Sequence, residues 1–105
     1  MHIERKITEQ GRKEAQQIAA AVLQGKLTIL EGARLLVRFA HTNAIEQEDD
    51  RRLIIAIESE TDHLPIGEVR RLWSSDALRE KDPEIARCEM LWKDPMLAAC
   101  QRIAN

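Results

Sequence analysis

The sequence predicts an all-α fold, a compact single-domain bundle of five or six helices spanning residues 1–105, and three observations support this. Aliphatic residues recur at intervals of three and four, the spacing that aligns side chains on one face of a helix. Helix-starting and helix-stopping residues, among them Gly25, Thr28, Asp82 and Pro83, punctuate these stripes at short intervals. The one β-branched run, Leu53-Ile54-Ile55-Ala56-Ile57, fits a buried strand or a helix by itself, but no second convincing strand exists to pair with it.

The first helix is predicted from about Ile3 to Leu23, where Ile7, Ala15, Ile18 and Val22 form one stripe that Gly11 weakens locally. Gly25 stops it. Thr28 with Glu31 three positions later fits a capping box, so a second helix is predicted over about Ile29 to His41, with Leu30, Ala33, Leu36 or Val37 and Ala40 on one side. The short Gly25-Lys26-Leu27 link predicts an antiparallel pairing of these two helices. Gly32 is a candidate point of close helix approach, or a tolerated glycine costing about 1 kcal/mol relative to Ala.

The acidic run Glu46-Gln47-Glu48-Asp49-Asp50 precedes Arg51-Arg52, and carboxylates in a first turn complement the positive end of a helix carrying Leu53 to Ile57. Thr61 or Asp62 is read as the cap of a further helix with Pro65 in its first turn, continuing through Trp73. Ser74-Ser75-Asp76 marks a break and a candidate new cap, and Asp82-Pro83-Glu84 reads as a strong start signal. Ile85, Cys88, Trp92, Ala99 and Ile103 follow at helical spacing. Asp94-Pro95 repeats the start grammar, giving one helix kinked near Lys93 or two in succession. With only three aromatic residues in the chain, Phe39, Trp73 and Trp92 are expected as large core anchors.

Composition narrows the function classes. The 16 basic and 18 acidic residues are interleaved and sum to −2, so no broad positive field attracts a phosphate backbone, and direct nucleic-acid binding is not expected. No apolar run approaches the roughly 20 residues needed to cross a bilayer. No secretory leader is evident at the N-terminus, and a cytoplasmic location is the default. Cys88 and Cys100 on one helix would stand about 18 Å apart along its axis, beyond bridging distance, and are expected as reduced, buried thiols.

Catalytic chemistry is not specified. Glu58, Glu60, Asp62 and His63 place three carboxylates and an imidazole within six positions, which in principle suits a divalent metal or acid/base work. A metal-dependent enzyme built on Glu58, Asp62 and His63 is the least favoured reading, because no second ligand-rich segment accompanies them, and capping and salt bridges account for them more simply. Ser59 lacks a base and a nucleophile elbow, His2 and His41 are isolated, and Gly11, Gly25, Gly32 and Gly67 form neither a phosphate loop nor a dinucleotide fingerprint. The reading is therefore of a non-enzyme without cofactor. Arg70 is assigned either to an ion pair with Glu60, Asp62 or Glu84, or to contact with a partner.

The block Ser59-Glu60-Thr61-Asp62-His63-Leu64-Pro65-Ile66-Gly67, with Trp73, the earlier Gly25-Lys26-Leu27 through Glu31-Gly32-Ala33-Arg34 and the late Ala99-Cys100, resembles a family of small uncharacterised bacterial proteins. That resemblance spans most of the chain and implies a helical domain without known catalysis, similar to immunity proteins encoded beside toxin genes. It implies a protein partner, a toxin domain, held by an acidic surface that replaces the phosphates a nuclease cleft expects. Glu46, Glu48, Asp49 and Asp50 are the candidate partner-binding residues, followed by Glu60, Asp62 and Arg70. The alternative expectation is a small structural or regulatory module, a homodimer burying Trp73 or Trp92.

Overall fold

The computed structural model describes the backbone of residues 2–105 and the side chains of residues 9–105. Four α-helices follow one another: α1 (His2–Leu23), α2 (Ile29–Leu36), α3 (Glu48–Thr61) and α4 (Ser75–Ala104), with short 3₁₀ helices at Val37–Phe39 and Gly67–Leu72. Among the described residues there is no strand, and Leu53 to Ile57 lies within α3. No described helix is long and apolar enough to cross a membrane.

The predicted stripes become the core. Ala15, Ala19 and Val22 of α1 are buried, with Ile18 packed at the margin, and Ile7 lies outside the described side chains. α2 contributes Ile29, Leu30, Ala33 and Leu36, α3 contributes Ile54 and Ile57, and α4 contributes Met96, Ala99, Cys100 and Ile103. Each large aliphatic side chain so removed from water stabilises the fold by about 1.5–3 kcal/mol. α1 packs on α2 and α4, and α2 also rests on α3 and α4, so α2 is the central element despite its eight residues.

How so short a helix is held is visible at its start. The Thr28 hydroxyl accepts from the Glu31 amide at 3.1 Å, and the Glu31 carboxylate accepts from the Thr28 amide at 3.0 Å, completing the predicted capping box. The Glu89 carboxylate of α4 takes the two amides between them, Ile29 at 3.0 Å and Leu30 at 2.8 Å. All the amides of the first turn thus have acceptors, with carboxylates at the positive end of the helix. Gly25, at φ +75°, turns the chain out of α1. Gly32 is buried under Val22: a Cβ built on it would run into Val22 Cγ2, so the absence of a side chain lets α2 approach α1.

Several expectations are corrected. Thr61 is not a helix start. It is buried in the last turn of α3 and its hydroxyl donates back to the Ile57 carbonyl at 2.7 Å, while Asp62 is the C-terminal cap residue. Residues 67–72 form a 3₁₀ segment entered through Gly67 at φ +73°, and Trp73 lies beyond it in extended backbone. The second helix gives way to 3₁₀ geometry after Leu36.

Asp82-Pro83 does not start a helix, and of the two readings of Asp94-Pro95 the single continuous helix holds; both prolines lie inside α4, which is capped by Ser74, whose hydroxyl accepts from the Ala77 amide at 3.2 Å. The carbonyls deprived of a partner by these prolines belong to Arg79 and Leu91, both on exposed positions where water can hydrate them. Finally, of the three aromatic residues only Phe39 is buried; Trp73 and Trp92 are half-buried, and the large fully buried side chains include Leu30, Leu36, Ile45, Ile54, Ile57, Leu64 and Met96.

Candidate partner-binding surface

The loop from Ala40 to Gln47 folds inward through Ala40, Ala44 and Ile45, which leaves Glu46 and Gln47 on the rim and begins α3 at Glu48. The Arg51 guanidinium braces this loop by donating to the Ile45 carbonyl at 2.6 Å and the Glu46 carbonyl at 3.0 Å. Glu46, Glu48 and Asp49 are consequently all exposed, one at the end of the loop and two in the first turn of α3. Glu46 faces Arg12 of α1 at 3.3 Å and Glu48 faces Arg52 at 2.9 Å, both in exposed pairs. Exposed pairs of this kind contribute about 0–1 kcal/mol and exchange readily for another cation.

Asp50 departs from the expectation. It is 2% exposed, and Arg102 of α4 closes on it with Nε 3.1 Å from both carboxylate oxygens and Nη2 2.7 Å from Oδ1. The hydrogen bond to Asp50 and its charge raise the Arg102 pKa above the ordinary guanidinium value. A helix turns each successive side chain by about 100°, so in the run 48–50 the third carboxylate points to the core while the first two face solvent. As a group available to a partner, Asp50 is withdrawn; it ties the start of α3 to the end of α4. Beside it, Arg12, Gln16, Gln47 and Arg102 border an open cleft of about 410 Å³.

Glu60 and Asp62 are exposed at the opposite end of α3, about 18 Å from Glu48 along the axis for twelve residues of helix. The corner that follows is held by arginines. Arg34 of α2 donates to the Thr61 carbonyl at 2.6 Å and the Leu64 carbonyl at 3.1 Å, satisfying the negative end of α3. Arg70 donates to the Pro65 carbonyl at 3.2 Å and to Asp82 at 3.0 Å. Its ion-pair partner is thus Asp82 and not Glu60, Asp62 or Glu84, because the 3₁₀ segment directs it at the first half of α4. Glu84 is taken by His63 at 3.2 Å.

That last pair separates His63 from the grouping with Glu58 and Asp62. Among the described residues, no three His, Cys, Asp or Glu side chains stand together as a metal ion requires. Cys88 and Cys100 are both free; burial, then Asp50, pushes the Cys100 thiol up to about 11, and burial, with Glu84 next, raises that of Cys88.

The residues that the sequence reading did not single out here are Arg12, Arg51 and Arg102. Arg51 carried a local signal, since it stands five and six positions after the carbonyls it braces. Arg102 carried none, since its partner is 52 residues away. Searches against protein-family models, curated proteins and solved structures find no match to this chain.

Proposed function

We propose that the chain is a non-catalytic protein-binding domain, most concretely an immunity-type inhibitor that holds a toxin domain by its acidic edge. The observation that carries this reading is the projection of Glu46, Glu48 and Asp49 from a braced loop and helix start, with Asp50 anchored beneath them. Because Arg51 and Asp50 brace the backbone that carries the three carboxylates, only their side chains remain to be ordered when a partner binds. Their present partners, Arg12 and Arg52, are exposed and are displaced at small cost by the lysines and arginines of a basic cleft. Glu60 and Asp62, at the far end of α3, would contribute only to a partner that spans the whole helix, and Arg70, engaged with Asp82, holds the corner.

The test is calorimetry with the product of an adjacent toxin-type gene. A one-to-one complex is expected, and combining Glu46→Lys, Glu48→Lys and Asp49→Lys should weaken it at least about 100-fold and slow association, whereas Glu60→Lys with Asp62→Lys should change it less than about threefold. Unaltered affinity in the triple variant would remove the acidic edge from the interface.

A further inference from the structure

The first half of α4 carries an exposed apolar pair with no partner in this molecule: Met90 is 80% exposed and Leu91 is 69% exposed. The charged residues around the pair are arranged in a particular way. Arg87 and Asp94 are seven positions apart and both exposed, so they fall within about 20° of one another around the helix axis, with Met90 and Leu91 flanking the line that joins them. Seven residues separate their Cα atoms by about 10.5 Å, too far for an ion pair within the helix. Among the described residues neither of the two joins any ion pair.

We infer that this face of α4 pairs with the same face of a second copy of the chain, antiparallel, about a twofold axis passing between Met90 and Leu91. That axis places Arg87 of each copy opposite Asp94 of the other and Met90 opposite Leu91, and the twofold forms every contact twice. Further out it sets Pro83 against Ala98 and Glu80 against Gln101, with no like charges facing along the seam. A parallel pairing would set Arg87 on Arg87 and Asp94 on Asp94, so the charge pattern selects the antiparallel arrangement. An open hollow of about 620 Å³ bounded by Glu84, Arg87, Cys88, Met90 and Leu91 borders the seam and gives the opposing methionine a place to enter. Complementarity to its own inverse identifies the occupant as a second copy, since a dissimilar partner requires no such symmetry. One helix face provides less than the roughly 800 Å² per partner of a standard interface, so a weak, concentration-dependent dimer is expected. The surface is separate from the acidic edge, and neither proposal depends on the other.

Sedimentation equilibrium of the full chain from about 1 µM to about 500 µM tests this. A monomer–dimer equilibrium is expected. Met90→Glu combined with Leu91→Glu should abolish it with the circular dichroism spectrum retained, as both positions are exposed. Arg87→Asp or Asp94→Arg alone should weaken the dimer at least about tenfold, and the two reversals together should restore it to within about threefold. A monomer at every concentration, a dimer indifferent to the double glutamate variant, single reversals without effect, or a double reversal that fails to recover would each overturn the proposal.

Discussion

α4 is one continuous helix, yet its two ends have different surroundings. From Met96 onward one face is dry, with Met96, Ala99 and Cys100 at 0% exposure, whereas no residue from Ser75 to Pro95 is fully buried. The composition hardly differs, since Met90, Leu91 and Ile85 are as apolar as their counterparts downstream. What differs is how closely the bundle covers it, since the first half meets the core only at its margin, through the partly buried Ile85, Cys88 and Trp92. The Ser74 cap and the surface Asp76–Arg79 pair support the start of the first half, Asp82, Glu84 and Glu89 tie it to Arg70, His63 and the amides of α2, and apolar packing holds the second. One element is thus closely packed along one length and largely solvent-facing along the other.

The strongest way to break this contrast is a methionine comparison. Met96→Ala should lower stability by about 4 kcal/mol, because the void is enclosed on all sides, while Met90→Ala should stay within about 0.5 kcal/mol at protein concentrations too low for self-association. Urea denaturation midpoints measure both. Equal losses would show that the dry interior extends further along α4 than Met96.

Replacing the guanidinium that closes on Asp50 ranks next. Arg102→Leu strands a carboxylate that is 2% exposed, with relief only from water entering the adjoining cleft, and about 2 kcal/mol should be lost. Arg52→Leu, which removes a fully hydrated pair, should cost less than about 0.5 kcal/mol.

The smallest effect is read from the cysteines, one on each half of α4. Cys88 should react with a thiol reagent under native conditions at least about ten times faster than Cys100, which becomes accessible when the core opens. Burial raises the Cys100 pKa from 9.0 to about 11, so the native state favours the neutral thiol. The sign follows: its contribution to stability is complete below pH 9, falls as the unfolded chain ionises, and is exhausted above about 11. Cys100→Ala should flatten that part of a stability-versus-pH curve.

Local grammar was readable from the residues when it was closed within a few positions. Thr28 and Glu31 satisfy each other, Gly25 ends α1, and the stripe Ala15–Val22 faces inward as its spacing requires. The errors arose where one residue type serves two roles. A threonine hydroxyl caps a helix start or bonds back into a helix end, and Thr61 does the latter because Ile57 precedes it on a buried face. Asp-Pro opens a helix or sits within one whose freed carbonyl is hydrated, and α4 takes the second course twice. At the acidic edge the residues were legible but their exposure was not: whether the third carboxylate of 48–50 faces solvent depends on Arg102, which folding brings from the other end of the chain. The exposed Met90 and Leu91 were unmarked for a similar reason, since only the arrangement of α1, α2 and α3 decides which half of α4 they cover.

The carboxylate of Glu89 on the Ile29 and Leu30 amides ties the completion of α2 to the docking of α4. An eight-residue helix is marginal in isolation, and two of the amides that open α2 wait for an acceptor translated sixty and fifty-nine residues later. The start of α2 is therefore completed only when α4 docks, so the shortest helix of the bundle depends on a side chain far along the chain.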